Sequence, residues 1–169
     1  MESAVVQKKV CLVGAFATGK TSLVKRFVYS KFSEKYHSTV GVKIDRKEVD
    51  VAGTQVNLLL WDLAGQDKFQ GVQNSYLRGS SAIFFVVDGL RRGTLAELAN
   101  LRTLVKETLG PVPSLIAINK ADLEPQWEVT QDDFYGLLGE GCHVLKTSAK
   151  TGMGVNQGFL WLASQALKG

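Results

Sequence analysis

Short apolar runs alternate with amphipathic stretches along most of the chain. Residues 10–13 form a short β-branched run that indicates a buried strand, and residues 19–29 follow with apolar side chains at helical spacing. Residues 82–87 and 115–118 indicate two more buried strands. Strands separated by helices are typical of a mostly parallel sheet with helices on both faces, so the sequence predicts an α/β fold.

The second half of the chain repeats this alternation of strand and helix. Residues 94–109 have leucines at helical spacing and precede Gly110-Pro111, a helix stop signal. Residues 130–133 resemble a capping box that opens a short helix to residue 138. A last strand at 143–145 and a last helix at 155–167 complete the pattern. Sheets of this kind bind ligands at the carboxyl ends of their strands.

One segment departs from the alternation of strands and helices. Residues 42–51 alternate in polarity as a half-exposed strand does, Ala52-Gly53-Thr54 is a turn signal, and Val56, Leu58 and Leu60 form a return strand. The sequence therefore predicts an antiparallel hairpin.

Composition limits the function classes. The chain has 169 residues, of which 45% are hydrophobic and 21% charged, as in an ordinary globular domain. The longest uncharged apolar run in the middle of the chain, residues 82–87, is far shorter than the ~20 residues that span a bilayer. Two cysteines are too few for a disulfide framework, so we expect a reducing, cytoplasmic setting.

The charge pattern gives little indication of nucleic-acid binding. Lysine and arginine exceed aspartate and glutamate by 20 to 16, a net charge of +4 that is spread along the chain. The short basic pairs have no adjacent aromatic platform, so we expect solvated surface charge and no nucleic-acid partner.

The strongest chemical motif lies between the first strand and the first helix. Residues 14–21, Gly-Ala-Phe-Ala-Thr-Gly-Lys-Thr, fit the pattern G-x-x-x-x-G-K-[ST] in the strand-loop-helix context that it requires. Such a loop turns backbone N–H groups toward a phosphate chain, and the helix N-terminus adds positive partial charge. Lys20 can reach the terminal phosphates, and the Thr21 hydroxyl can ligate Mg²⁺.

Two later motifs indicate the base. Asn119-Lys120-Ala121-Asp122 follows a predicted strand, and the Asp122 carboxylate can accept the two N–H donors that guanine, unlike adenine, presents on one edge. The Lys120 stem can lie along the base, and Asn119 can connect this loop to the phosphate loop. Ser148-Ala149-Lys150 follows the next strand and can offer a backbone N–H to the guanine oxygen.

These motifs, in this order, resemble a small GTPase of the Ras superfamily, closest to the Rab branch, over essentially the whole chain. Residues 61–69 resemble the second switch of that family, residues 36–42 resemble the Rab first switch, and residues 76–79 are also Rab-like. The resemblance implies one P-loop NTPase G domain over residues 1–169. It also implies a six-stranded mixed sheet, five strands parallel and one antiparallel, with helices on both faces.

The resemblance implies residue roles as well. Thr39 would ligate Mg²⁺ through its hydroxyl and contact the γ-phosphate through its backbone N–H, and Asp62 would hold Mg²⁺ through water. The Gly65 N–H would contact the γ-phosphate. Gln66 would orient the attacking water and, with Lys20, forms the expected catalytic pair.

Two aromatic residues complete the expected site: Phe32 would pack on the guanine, and Tyr36 would close over the phosphates. The expected metal ligands are Thr21, Thr39 and Asp62. The expected nucleotide-binding residues are Gly14, Ala15, Phe16, Ala17, Thr18, Gly19, Lys20, Thr21, Ser22, Phe32, Tyr36, Thr39, Gly65, Asn119, Lys120, Asp122, Ser148, Ala149 and Lys150.

The implied function is a GTP-binding molecular switch that hydrolyses GTP to GDP with Mg²⁺. Its switch loops, around residues 33–42 and 62–75, would be read by effector proteins and acted on by an exchange factor and a GTPase-activating protein. We expect a monomer. Residues 165–169 contain no cysteine for prenylation, so we expect no intrinsic membrane anchor in this chain. Peripheral membrane binding would then require a lipidated tail or an adaptor.

Two residues depart from the family pattern. Phe16 stands where a small residue is usual, facing the γ-phosphate and any incoming arginine finger, so we expect slow hydrolysis. The alternative is a GTP-binding module with negligible hydrolysis, switched by nucleotide exchange or partner binding. Ile44 replaces an aromatic residue that faces effectors in Rab proteins, so partner recognition does not carry over.

A small-molecule kinase is a further alternative. It would need an arginine-rich lid, for which Arg91-Arg92 is the candidate pair, and the guanine-edge carboxylate of Asp122 argues against it.

Overall fold

The computed structural model describes residues 4–33, 42–63 and 74–169. Within those ranges the chain forms one sheet and the helices that cover it. The elements in chain order are β1 (Val6–Gly14), α1 (Lys20–Tyr29), β2 (Val42–Val51), β3 (Thr54–Leu63), α2 (Asn74–Leu77), β4 (Ala82–Asp88), α3 (Gly93–Leu109), β5 (Ser114–Asn119), a 3₁₀ helix (Ala121–Gln126), α4 (Gln131–Gly139), β6 (Val144–Thr147) and α5 (Val155–Lys168).

The sheet has six strands in the order β2-β3-β1-β4-β5-β6. β1 pairs in parallel with β3 on one side and β4 on the other, and the parallel pairing continues through β5 to β6. Only β2 is antiparallel, along its whole length against β3. The predicted mixed sheet of five parallel strands and one antiparallel strand is confirmed.

The side chains of β1 divide between two apolar clusters because successive residues of a strand point to opposite faces. Val10 and Leu12 pack in the cluster that contains residues of α1 and α5. Cys11 and Val13 pack in the cluster that contains residues of α3 and α4. The sheet therefore has helices on both faces, as predicted. The seven residues of β4 are all buried, which explains why the first six, residues 82–87, form a continuous apolar run.

The predicted hairpin joins β2 to β3 through a two-residue loop. Ala52 and Gly53 have φ angles of 50° and 89°, and two positive values in a two-residue loop are typical of a type I′ turn. The Gly53 N–H donates to the Asp50 carboxylate at 2.9 Å. The strand after this turn runs on to Leu63, three residues beyond the predicted end.

Near the centre of β2 an apolar residue is exposed and an acidic residue is buried, the reverse of the usual arrangement. Ile44 is 46% exposed, whereas Asp45 is buried against the end of α1. Its carboxylate accepts the Tyr29 hydroxyl at 2.8 Å and lies 3.6 Å from the Lys43 ammonium. A buried carboxylate needs such partners, and the hydroxyl donor, Tyr29, lies outside the strand pattern that predicted the hairpin.

Three boundaries differ from the sequence prediction. β1 begins at Val6, four residues early, because its parallel pairing with β3 extends through the polar residues before Val10. The short helix Asn74–Leu77 and the 3₁₀ helix Ala121–Gln126 were not predicted, since neither is long enough to show helical periodicity. None of the helices in the described ranges combines the length and hydropathy needed to cross a bilayer.

The start of α4 provides a test of the local energetics. The Thr130 hydroxyl accepts from the Asp133 N–H at 3.1 Å, and the Asp133 carboxylate accepts from the Thr130 N–H at 2.8 Å, which is the predicted capping box. We predict that Thr130→Ala lowers the free energy of unfolding by about 1 kcal/mol, because it leaves a helix N–H without its acceptor. Urea denaturation measures this loss.

Thr103→Ala is the matched control, since Thr103 is exposed within α3 and its hydroxyl bonds only to the Ala99 carbonyl of the same helix. We expect its free energy of unfolding to stay within about 0.5 kcal/mol of the wild type. Equal stability of the two variants would contradict the capping account.

Candidate nucleotide site

The site residues meet at one edge of the sheet. β1, β4, β5 and β6 are parallel, so the segments that follow them lie at the same end. The phosphate loop follows β1, Asp88 ends β4, Asn119 ends β5, and Ser148 follows β6. The fold thus brings together all three motifs that the sequence placed after strands.

Two glycines are required by close contacts in the phosphate loop. A Cβ at Gly14 would lie 2.5 Å from the Val86 carbonyl oxygen. A Cβ at Gly19, where φ is +102°, would lie 2.3 Å from the Asn119 amide nitrogen. Ala17 has a φ of 61° without being glycine, a conformation that costs a non-glycine residue roughly 1–2 kcal/mol. Contacts around the loop must offset that cost.

Three consecutive carbonyl oxygens of the loop accept hydrogen bonds from side chains of the neighbouring loops. Arg91 Nη2 donates to Phe16, Lys120 Nζ to Ala17 and Asn119 Nδ2 to Thr18, with donor–acceptor distances of 2.5, 3.5 and 3.0 Å. In a trans peptide the carbonyl and the following N–H point in opposite directions. The N–H groups of residues 17–19 are therefore turned to the other side of the loop, where they can converge on an anion.

Lys20 places a buried cation in the same loop. Its side chain is 5% exposed, and Nζ donates to the carbonyl oxygens of Gly14 at 3.2 Å and Ala15 at 3.4 Å. Burial lowers the pKa of Lys20 to about 8; nearby Asp62 opposes this shift and Arg91 adds to it. A polyphosphate bound here would favour the charged ammonium.

Thr21 and Asp62 bring two oxygen groups together at the start of α1 and the end of β3. The Thr21 hydroxyl donates to Asp62 Oδ2 at 2.5 Å, and the Asp62 side chain is almost fully buried. Hard oxygen groups of this kind fit Mg²⁺, which commonly takes only one or two protein ligands and completes its octahedron with phosphate and water. Among the described residues, no three His, Cys, Asp or Glu side chains form a metal-binding group.

Asn119 connects the phosphate loop to the end of β6. Its amide nitrogen bonds the Thr18 carbonyl, and its amide oxygen accepts the Thr147 hydroxyl at 3.1 Å. On the other side, Arg26 of α1 donates through Nε to the Ala149 carbonyl at 2.7 Å and through Nη2 to the Lys150 carbonyl. Both loops that would enclose the base are thus fixed to α1 and its preceding loop.

The Asp122 carboxylate is oriented by the loop after β6. Ser148 Oγ donates to Asp122 Oδ1 at 2.8 Å and accepts the Thr151 N–H at 3.1 Å. Lys120 adopts a left-handed φ of 74°, and its carbonyl accepts the Trp127 indole N–H at 2.8 Å. These contacts hold the carboxylate and the lysine stem in neighbouring positions, as recognition of a flat base requires.

Two of the predicted aromatic residues of the site, Phe16 and Phe32, are partly exposed. Phe16 is 48% exposed, and Phe32 lines a cavity of about 740 Å³ together with Lys25, Tyr29 and Lys43. Four other predicted residues, namely Tyr36, Thr39, Gly65 and Gln66, lie outside the described residues, and their roles stay predictions.

Sequence reasoning did not identify Asp88 and Arg91 as site residues. Asp88 ends a buried run at the carboxyl end of β4, so the rule that found Asn119 could have found it too. The pair considered as a kinase lid is bound within the domain: Arg91 pairs with Asp88, and Arg92 pairs with Asp133. Nothing in this arrangement supports the kinase alternative.

Comparison with known proteins agrees with the geometry. The Ras family model matches residues 9–168. Ras-related protein Rab-4 of Dictyostelium discoideum is 37% identical over 154 residues, covering 90% of this chain and 75% of that protein. Human Ras-related protein Rab-4B is 35% identical and bovine Ras-related protein Rab-13 is 33% identical, each over 161 residues, or 94% of this chain. The alignments cover 76% and 79% of those two proteins.

The buried ammonium of Lys20 leads to a pH prediction. With a pKa of about 8 before binding, Lys20 loses its proton as the pH rises from 7 to 8.5, whereas a bound polyphosphate would keep it charged. Binding must then take up a proton, so affinity for GDP should fall roughly fourfold across that range. Calorimetry in buffers of different ionisation enthalpy measures both quantities.

Lys20→Arg is the control, because a guanidinium stays charged throughout this pH range. GDP binding to this variant, whether strong or weak, should involve no proton uptake by residue 20. A wild type that binds GDP equally at both pH values without proton uptake would contradict the account.

Proposed function

The chain belongs to the Ras family as a Rab-like small GTPase, and on that premise we propose that it is a Mg²⁺-dependent switch that hydrolyses GTP to GDP within one G domain, residues 1–169. Family membership supports GTP binding and GTPase activity in general. The observation that carries the proposal for this chain is the set of three phosphate-loop carbonyls held by Arg91, Lys120 and Asn119. These bonds turn the following amides toward an anion.

We infer that the base is guanine. The Asp122 carboxylate, oriented by Ser148, can accept the two adjacent N–H donors of the guanine edge. The Lys120 stem would lie against the base, and Phe32 would cover it. A site that hydrogen-bonds these donors rejects adenine, because adenine would leave the carboxylate without them.

The proposed chemistry relies on positioning. Water attacks the γ-phosphorus, the bond to the β–γ bridging oxygen breaks, and GDP and inorganic phosphate leave. Lys20 and the amides of residues 17–19 bind the phosphate oxygens and stabilise their negative charge. Thr21, Asp62 and Thr39 would hold Mg²⁺, which supplies charge neutralisation on the β- and γ-phosphates. Gln66 would orient the water.

We propose that GTP orders the two switch loops through Tyr36, Thr39 and Gly65, and that loss of the γ-phosphate releases them. The proposed partners are effectors, an exchange factor and a GTPase-activating protein, with no nucleic-acid partner. We further propose a monomer in the cytoplasm that contacts membranes peripherally.

Phe16 is the basis for proposing slow hydrolysis. Its ring projects from the phosphate loop at the position that, by resemblance, faces the γ-phosphate and Gln66. A ring there crowds the attacking water, and a misplacement of about 1 Å can reduce a rate roughly a hundredfold. The same observation motivates the second candidate, a GTP-binding module with negligible hydrolysis.

Single-turnover hydrolysis of bound GTP tests both candidates. We predict that Phe16→Gly hydrolyses GTP roughly ten- to a hundredfold faster than the wild type, because it restores room for the water. Tyr135→Ala is the control, since Tyr135 is an exposed aromatic residue of α4, and we expect the wild-type rate.

Equal rates in the wild type and Phe16→Gly would contradict the role of Phe16. Measurable hydrolysis by the variant, with none by the wild type, would favour the second candidate. The nucleotide that co-purifies with the wild type, identified by chromatography, should be GDP or GTP. An adenine nucleotide there would contradict both candidates.

A further inference from the structure

Asp88 is a buried carboxylate directly behind the phosphate loop. Its side chain is 1% exposed, at the carboxyl end of β4. It accepts the Leu90 N–H at 2.9 Å, Arg91 Nε at 2.9 Å and Lys120 Nζ at 2.8 Å. Two cations thus converge on one carboxylate, which fixes both of them because a buried charge requires partners.

Each of these cations also reaches a carbonyl of the phosphate loop. Arg91 uses Nε for Asp88 and Nη2 for the Phe16 oxygen, and Lys120 uses Nζ for Asp88 and the Ala17 oxygen. The guanidinium is planar, so fixing Nε against the carboxylate also fixes the direction of Nη2. Asp88 therefore sets where Arg91 can donate.

The Arg91 contact acts on the peptide between Phe16 and Ala17. Holding the Phe16 carbonyl outward turns the Ala17 N–H inward, because the two groups share one peptide plane. Ala17 itself has a left-handed φ of 61° and lacks the freedom of glycine. Without Arg91 this peptide would lose a charge-assisted hydrogen bond that favours the strained orientation.

We propose that Arg91 is a positioning residue of the nucleotide site, held by Asp88, which keeps the Ala17 amide aimed at the bound phosphates and so slows nucleotide release. The proposal rests on the proposed function, since it assumes a guanine nucleotide in this site. Arg91 acts from behind the loop, through the Phe16 carbonyl.

Arg92 provides a natural comparison one residue away. Its guanidinium binds both carboxylate oxygens of Asp133 at 2.8 Å, and its backbone N–H donates to Glu128 at 2.9 Å. Loss of the Arg92 side chain removes the same charge and the same kind of hydrogen-bond donor as loss of Arg91, but none of these Arg92 contacts involves the phosphate loop.

Release of a fluorescent GDP analogue from the Mg²⁺-loaded protein, chased with excess GDP, tests the proposal. Arg91→Gln should release the analogue roughly three- to thirtyfold faster than the wild type, the range expected for a charge-assisted bond from a side chain that is 44% exposed. Arg91→Lys should give an intermediate rate, because an ammonium keeps the charge but lacks the planar fork. Arg92→Gln should stay within about twofold of the wild type.

The outcomes separate this proposal from the proposed function. If the wild type retains the analogue and Arg91→Gln releases it at the wild-type rate, the positioning role is wrong while GTP binding stands. Equal acceleration by Arg91→Gln and Arg92→Gln would also overturn it, since that result would indicate a general effect of charge. A wild type that fails to retain any guanine nucleotide would instead overturn the proposed function.

Discussion

The orientation of the peptide groups in the phosphate loop is the constraint on which the site depends. An anion can be bound by backbone amides only if the matching carbonyls point away from it, and each outward carbonyl needs a donor. Here those donors come from Arg91, Asn119 and Lys120, far from the loop in sequence. Parallel pairing of β1 with β4, and of β4 with β5, brings them to one edge of the sheet.

The same bonds join the two halves of the site. Asn119 contacts the phosphate loop and Thr147, and Lys120 contacts both the phosphate loop and Asp88. The segment that carries Asp122 is therefore fixed relative to the loop that carries Lys20. Because these loops are fixed relative to each other, they can contact the base and the phosphates at the same time. Less conformational entropy of the loops is then lost on binding.

Local sequence patterns made much of the fold predictable. The buried strands, the hairpin and the capping box at Thr130 could be inferred because period, turn residues and cap residues are encoded within a few positions. The Asp88–Arg91–Phe16 connection could not, since it joins residues 75 positions apart whose meeting depends on the sheet. The buried Asp45 in β2 was missed for a similar reason, because its partner Tyr29 belongs to another element.

The central claim is that the phosphate loop and the Asp122 carboxylate together select a guanosine diphosphate. Calorimetry of the nucleotide-stripped protein with Mg²⁺ tests this claim most directly. The account predicts GDP binding at least roughly a hundredfold tighter than ADP binding, with the gap reduced in Asp122→Ala. The difference in affinity between GDP and ADP should be unchanged in Asp132→Ala, which removes an exposed carboxylate of α4. Equal affinity of the wild type for GDP and ADP would contradict the account.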